Sequence, residues 1–169
     1  MARLPDPRLG QPGPVADLQR FVDAQDEGGT FDTALAELRA GRKRSHWMWF
    51  VLPQLSGLGR SPMAQRYALS GLDEARDYLA HPVLGPRLRA CAEALLSLPE
   101  PDAERVLGPV DARKLQSSMT LFALAAPQEA VFREVLGACF GGRLDPLTAG
   151  RVGLPPPSSS DSGSSPDCG

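Results

Sequence analysis

The chain has 169 residues and a mass of 18.0 kDa, with 18 basic and 20 acidic side chains and a formal net charge of −2. This length suits one domain with short tails and is too short for two domains of ordinary size. With 42% hydrophobic and 22% charged residues, the composition is that of a soluble globular protein. The balanced charge argues against a general nucleic-acid-binding protein, which needs a broad basic face, so no nucleic-acid partner is expected.

The amino-acid usage has a bias that makes two residues stand out. Asn and Ile are absent, and the basic residues comprise 16 Arg and only two Lys, which are Lys43 and Lys114. Asn, Ile and Lys are all encoded by A/T-rich codons, so the bias indicates a G/C-rich genome in which Lys drifts towards Arg. A Lys that is retained against that drift indicates a site that needs a compact ammonium group rather than the planar guanidinium group of Arg.

The cysteines and the chain start bear on compartment and cofactors. Cys91, Cys139 and Cys168 are odd in number and widely spaced, which predicts neither a disulfide framework nor a zinc site, and no metal or other cofactor is expected. The N-terminal stretch has prolines where a signal peptide would have its apolar run. No apolar stretch approaches the ~18 residues of a membrane span, so we expect a cytoplasmic protein without a membrane partner. Nothing in the sequence indicates an oligomeric state.

Composition also divides the chain into three parts. Residues 1–14 contain four prolines and little that could pack, which predicts a flexible lead-in. Residues 153–169 are rich in Pro, Ser and Gly and cannot bury enough surface to offset the entropy of ordering, which predicts a disordered tail. The folded domain is therefore expected over residues 15–152.

Within this domain the apolar residues recur at helical spacing. The first half predicts helices over 18–25, 30–41, 61–69 and 73–80, with Thr30 capping the second helix and Ser61-Pro62 opening the third. His81 follows the fourth helix and is expected to cap or bridge a helix junction.

The second half continues the helical pattern. It predicts a long helix over 83–98, a short turn over 102–107, a helix capped by Asp111 that ends near Ala125, and a helix from Pro127 to Gly141. A last short helix begins at Asp145-Pro146. Because alternation of period two is almost absent, the sequence predicts an all-α single domain of about seven to eight helices.

The first polar cluster occupies residues 41–61 and reads GRKRSHWMWFVLPQLSGLGRS. One interpretation is a ligand pocket, because cations, an imidazole, an indole and a helix N-terminus can together hold an anion. In that pocket Lys43 and Arg44 supply charge, His46 a proton donor or base, one Trp a stacking surface and Ser61 an anion cradle. The alternative interpretation is that the aromatic residues form core and the basic run is a solvated turn.

The second cluster occupies residues 111–122 and reads DARKLQSSMTLF. On a helix, Leu115, Met119 and Phe122 form the buried stripe, while Lys114, Ser117 and Ser118 lie along a neighbouring stripe. A partly desolvated Lys could bind an oxyanion or activate a hydroxyl. The alternative is close helix packing through the small residues, with Lys114 paired to a carboxylate such as Asp111.

These stretches resemble the signature blocks of the domain of unknown function 1810 family, which is found mainly in bacteria. The resemblance covers about residues 15–150, and its most specific part is the HWMWF-x-x-PQ block. It implies a compact multi-helical domain and assigns no role to any residue. The matching motif positions are Lys43, His46, Trp47, Trp49, Pro53, Gln54, Gly57, Gly59, Ser61, His81, Asp111, Lys114, Ser117 and Ser118.

The resulting hypothesis is a small protein that binds, or binds and processes, a small anionic ligand where the first cluster meets the helix of Lys114. If the protein is an enzyme, His46 and Lys114 are the candidate catalytic residues, and a phosphate-bearing ligand suits the cations and the aromatic ring. The alternative is a non-catalytic structural or protein-interaction module. The candidate ligand-binding residues are Lys43, Arg44, Trp47, Trp49, Gln54, Ser61, Ser117 and Ser118.

Overall fold

The structure is a computed structural model, and it describes residues 18–153. Within this range six helices of eight or more residues are joined by four shorter ones. In chain order they are α1 (Gln19–Asp26), α2 (Thr30–Arg39), α3 (Met48–Val51), α4 (Pro62–Arg66), α5 (Leu72–Ala80), α6 (Leu84–Leu96), α7 (Ala103–Leu107), α8 (Pro109–Ala125), α9 (Ala130–Phe140) and α10 (Pro146–Arg151).

The prediction of an all-α single domain is confirmed. Residues 18–153 form no strand, and the nearest feature is a single parallel bridge between Leu55 and Leu69. None of the helices in this range combines the length and the hydrophobicity that crossing a bilayer requires. The predicted lead-in over 1–14 and nearly all of the predicted tail over 153–169 lie outside the described residues.

Helix α8 is the centre of the domain. It packs against α5, α7, α9 and α10, so it is surrounded on most sides. The predicted stripe of Leu115, Met119 and Phe122 is fully buried, as apolar spacing of three and four residues requires. Residues on the remaining side of α8 are the ones left free to form a site.

The start of α8 differs from the sequence prediction. The helix begins at Pro109, two residues before the predicted cap Asp111, because Gly108 takes a positive φ of 85° and Pro109 is preorganised for the first helical position. Asp111 therefore lies inside the first turn, where the helix dipole favours a carboxylate. Its side chain makes no capping bond and is available to other partners.

The start of α9 also lies later than predicted, at Ala130 rather than at Pro127. The Glu129 side chain just before it accepts two hydrogen bonds from Arg89 of α6, at 2.7 Å from Nε and 2.6 Å from Nη2. This two-point contact lowers the pKa of Glu129 and raises that of Arg89. This contact holds Glu129, the residue just before α9, against α6.

Several helix starts and stops follow the predicted residues. Ser61 accepts a hydrogen bond from the Ala64 N–H, and Asp145 accepts one from the Thr148 N–H, so both side chains cap their helices. His81 Nδ1 accepts hydrogen bonds from the N–H groups of Val83 and Leu84, which confirms its predicted place at the α5–α6 junction.

The core contains a buried polar contact at its centre. Gln25 is 1% exposed, and its Nε2 donates to the Phe50 carbonyl at 2.8 Å and to the Tyr78 hydroxyl at 3.1 Å. Its Oε1 accepts from Arg87. Burial raises the pKa of the Tyr78 phenol, so it remains a neutral partner. The contact ties α1, α3, α5 and α6 together in a core otherwise made of apolar and aromatic side chains.

We expect Gln25→Ala to lower the free energy of unfolding by about 1–3 kcal/mol, because it leaves the buried Phe50 carbonyl and Arg87 without their amide partner. Urea denaturation measures this change. The matched control is Gln19→Ala on the same helix, where the side chain is exposed and the change should stay within about 0.5 kcal/mol. Equal effects of the two substitutions would contradict the structural role of Gln25.

Candidate functional site

The loop that carries the first cluster is held from both sides. The Glu37 carboxylate of α2 accepts hydrogen bonds from the N–H groups of Arg44 and Ser45, at 2.6 Å and 2.7 Å, and from the Trp47 indole at 3.2 Å. On the other side the Lys43 N–H donates to the Val106 carbonyl of α7 at 2.8 Å. These contacts place the Lys43 side chain beside the start of α8.

Glu37 is an ionised anchor for this loop. Its partial burial alone would raise the pKa of the carboxyl group, but the hydrogen bonds from the Arg44 and Ser45 backbone and from Trp47 outweigh burial and hold the pKa below its usual 4.5. The loop geometry is therefore best satisfied when Glu37 is charged.

Two lysines from distant parts of the chain share one carboxylate. Lys43 Nζ lies 2.9 Å from Asp111 Oδ2, and Lys114 Nζ lies 3.3 Å from Asp111 Oδ1. We call these three residues the lysine–aspartate bridge. Their side chains are 11%, 18% and 24% exposed for Lys43, Asp111 and Lys114, so the bridge is only partly solvated. Two ammonium groups and one carboxylate leave it with a net positive charge.

Each ammonium group of the bridge also lies over an indole ring. Lys43 Nζ is 5.3 Å from the centre of the Trp47 ring, and Lys114 Nζ is 5.0 Å from that of Trp49, both within cation–π range. Trp47 is fully buried, whereas Trp49 is partly buried against the core. The structure thus brings together Lys43, Trp47, Trp49 and Lys114.

Beside the bridge, α8 lines an open groove of about 500 Å³. The α8 groove is bounded by the glycine turn over 54–59, by residues 110–117 of α8 and by residues 145–147. Val110, Arg113, Lys114 and Ser117 occupy positions i, i+3, i+4 and i+7 of the helix, so they present one continuous face to the groove. Three of the predicted site residues line the groove, namely the ligand-binding candidates Gln54 and Ser117 and the catalytic candidate Lys114.

The polar groups of the groove differ in how far they are already engaged. Asp145 Oδ2 accepts hydrogen bonds from Ser117 Oγ, from Thr148 Oγ1 and from the Thr148 N–H, at 2.6–3.1 Å. By contrast, the side chains of Gln54 and Arg113 have no hydrogen-bond or ion-pair partner among residues 18–153. The donors that remain for a ligand therefore belong to the side chains of Arg113 and Gln54 and to the ammonium group of Lys114, which has three donors.

The glycine turn forms the wall opposite α8. It is fastened by hydrogen bonds from the Leu69 N–H to the Gln54 carbonyl and from the Ser56 N–H to the Leu69 carbonyl. Gly59 is a groove residue whose added Cβ would lie 2.5 Å from the Ala64 Cβ of α4, so only glycine allows this close approach. Gly59 therefore allows the turn to pack closely against α4.

The other predicted site residues lie elsewhere. Arg44 and His46 are exposed, and neither lines the α8 groove. Ser61 is an exposed cap, and its hydroxyl is occupied by the Ala64 N–H. Ser118 is fully buried, and its hydroxyl has no hydrogen-bond partner among the described residues.

A larger depression of about 830 Å³ lies between residues 55–56, 70–76 and 151–153. It combines Arg76 and Arg151 with the carboxylates of Asp73 and Glu74, and both carboxylates already have arginine partners, Asp73 with Arg76 and Glu74 with Arg20. Its charges therefore largely neutralise one another. The α8 groove has the stronger chemical case despite its smaller volume.

The two thiols within residues 18–153 are poor nucleophiles at neutral pH. Burial raises the pKa of Cys139 to about 11 and that of Cys91 to about 12, so both remain protonated at neutral pH. Among residues 18–153 no cluster of three or more His, Cys, Asp or Glu side chains could hold a metal ion.

Sequence reasoning missed three contributors to this region. Arg113 is adjacent to Lys114 and lines the same groove, which helical spacing from Ser117 could have shown. Glu37 gives no local signal, because its partners follow it only after a change in chain direction. The exposed Leu147 on α10 reaches the groove only through tertiary packing.

The chain belongs to the family described as a protein of unknown function, DUF1810, because the model of that family matches residues 15–152. The resemblance drawn from the motifs is thereby confirmed. Among solved structures the chain is similar to the conserved hypothetical protein Rv1873 from Mycobacterium tuberculosis, with 47% identity and a TM-score of 0.78. That match covers 82% of this chain and 98% of the other. A search of curated proteins found no match.

The pH dependence of stability should report Glu37. Because its folded-state pKa is lowered, its contribution is present above the unfolded value near 4.5 and is lost as the pH falls through the folded value. We expect Glu37→Gln to lower the melting temperature at pH 7 and to have a smaller effect at pH 3. Thermal melts over this range test it, with the exposed Glu134→Gln as control. A difference that stays constant with pH would contradict this account.

The lysine–aspartate bridge predicts a coupling between its members. We expect Asp111→Asn to lower the free energy of unfolding by about 1–3 kcal/mol, because two close ammonium groups lose their counter-charge. Adding Lys43→Met should recover part of this loss, which a double-mutant cycle measures. Asp73→Asn is the control, since its ion pair with Arg76 is exposed and should be worth less than about 1 kcal/mol. Strictly additive effects of Asp111→Asn and Lys43→Met would rule out the shared carboxylate.

Proposed function

We propose that this protein binds a small anionic ligand in the α8 groove. The observation that carries the proposal is the pair of adjacent cations, Arg113 and Lys114, in a groove beside a bridge of net positive charge. An anion entering there meets a guanidinium and an ammonium group from one helix face. Charge-assisted hydrogen bonds to such groups are about twice as strong as neutral ones.

Lys43 supports this role although it does not line the groove. Its ammonium group contacts Asp111 at 2.9 Å, so the charge of this carboxylate is offset by Lys43 as well as by Lys114, which lies at 3.3 Å. Asp111 and Trp49 hold the Lys114 side chain in position, and its ammonium group keeps its positive charge. Its ammonium group carries three donors, which leaves donors for a ligand oxygen.

The groove suits a phosphate-bearing ligand more than a bare halide-like ion. A phosphate has several acceptor oxygens, and the groove offers donors from Lys114, Arg113 and the unengaged amide of Gln54. The carboxylate of Asp145 already receives three donors from Ser117 and Thr148, which reduces its repulsion of an anion.

The proposal is confined to binding. His46, the candidate acid–base residue, does not line the groove, and Ser117 is hydrogen-bonded to Asp145 and to the Arg113 carbonyl. The hydroxyl–carboxylate pair of the groove, Ser117 with Asp145, belongs to the start of α10, because Asp145 Oδ2 also accepts from the N–H and the hydroxyl of Thr148. A protein-interaction module is the second candidate, favoured by the exposed Val110 and Leu147 at the same groove.

A thermal-shift comparison tests binding. We expect inorganic phosphate or simple phosphate monoesters to raise the melting temperature of the wild-type protein by several degrees, since a ligand at 100 times its dissociation constant adds about 2.7 kcal/mol. Lys114→Met should at least halve this shift, because a tenfold weaker ligand adds only about 1.4 kcal/mol at the same concentration. Met retains the aliphatic cover over Trp49 and leaves the Lys43–Asp111 pair intact.

The control variant is Arg133→Met, which removes an exposed cation from α9, outside the groove. It should keep the wild-type shift, and this separates site binding from the general stabilisation of proteins by phosphate salts. Equal shifts in all three proteins, or no shift in any, would refute the proposal and leave the interaction module as the better hypothesis.

A further inference from the structure

Three aliphatic side chains lie in the α8 groove beside its cations. Val110 and Leu147 are 67% and 66% exposed, and they are the large hydrophobic residues with this degree of exposure within residues 18–153. Both line the groove, and the partly buried Leu58 of the glycine turn lines it with them. A single exposed apolar side chain is ordinary on a protein surface.

The placement of these side chains is the informative feature. They come from three separate segments, the glycine turn, the first turn of α8 and α10, and tertiary packing brings all three to one groove. Exposed apolar surface costs free energy in water and is typical of binding sites when it is concentrated around a few polar groups. The groove thus combines a cationic centre with an aliphatic border.

We infer that the ligand of this groove is an anion that carries an aliphatic chain, such as an alkyl phosphate. The inference rests on the proposed anion-binding function and specifies the rest of the ligand. The phosphate contacts Lys114 and Arg113, and the chain contacts Leu58, Val110 and Leu147.

The order of residues along α8 orients this ligand. Val110 precedes Arg113 and Lys114 by about one turn, and Ser117, which binds Asp145, follows them by about one turn. An anionic head is repelled from the Asp145 end and attracted to the two cations in the middle. The chain then extends towards Val110, where the surface is apolar.

The same groove is poorly built for an aromatic ligand such as a nucleobase. No aromatic side chain is part of its lining within the described residues. Trp47 is fully buried, and the Trp49 ring is covered by the ammonium group of Lys114 at 5.0 Å. The stacking role expected for a tryptophan therefore has no free ring face in this groove, whereas aliphatic contacts are available.

Calorimetric titration with a homologous series tests the inference. The probes are inorganic phosphate, butyl, hexyl and octyl phosphate, and a nucleoside monophosphate, each below its aggregation concentration. We expect the dissociation constant to fall with chain length by up to about fourfold for each methylene that leaves water. The double variant Val110→Ser/Leu147→Ser should weaken this dependence, while Ala138→Ser, which alters an exposed apolar residue of α9, should keep it.

The outcomes separate the two proposals. If all phosphates bind alike and Lys114→Met abolishes binding, the aliphatic inference is wrong and the anion site stands. The aliphatic inference is also wrong if the nucleoside monophosphate binds more tightly than octyl phosphate. It is equally wrong if Val110→Ser/Leu147→Ser leaves the chain-length dependence unchanged. If none of the probes binds, both the anion site and its aliphatic ligand are refuted.

Discussion

The arrangement of the site depends on one carboxylate that is shared by two lysines. Asp111 contacts Lys43 through one oxygen and Lys114 through the other, and so joins the loop after α2 to the first turns of α8. Without this contact two ammonium groups would be forced together, or the loop would move away from the helix. Because the partners are only partly exposed, the interaction is stronger than a surface ion pair and less costly in desolvation than a fully buried one.

Other contacts hold in place the loop that carries Lys43. The Glu37 carboxylate accepts hydrogen bonds from two backbone N–H groups and from the Trp47 indole, and the Lys43 N–H donates to the Val106 carbonyl. These bonds restrict the loop and so place the Lys43 side chain against Asp111. The buried Trp47 and the partly buried Trp49 then lie beneath the two ammonium groups. Trp47 is a core residue, as the alternative interpretation of the first cluster expects, and the partly buried Trp49 supports the ammonium group of Lys114. In the proposed function, an anionic ligand in the groove that Lys114 lines would contact its ammonium group.

Much of the local structure could be predicted from the sequence because it depends on near neighbours. The stripe of Leu115, Met119 and Phe122, the caps at Ser61 and Asp145 and the junction at His81 all follow from spacing and side-chain chemistry. The error at the start of α8 has a local cause, whereas the error at the start of α9 has a distant one. Gly108 with Pro109 begins a helix earlier than Asp111 would, and the Arg89 contact fixes Glu129 only through a distant helix.

The sequence by itself determined the fold class, the two polar clusters and the prominence of the two lysines, because composition and helical periodicity are properties of adjacent residues. Tertiary structure alone decided that Lys43 and Lys114 share Asp111, that Trp47 is buried while Trp49 is only partly buried, and that His46 does not line the groove. It also decided that Val110 and Leu147 line the same groove as Arg113. The physical reason is that periodicity reports which face of a helix is apolar, but the partner of that face is set by how all the helices pack at once.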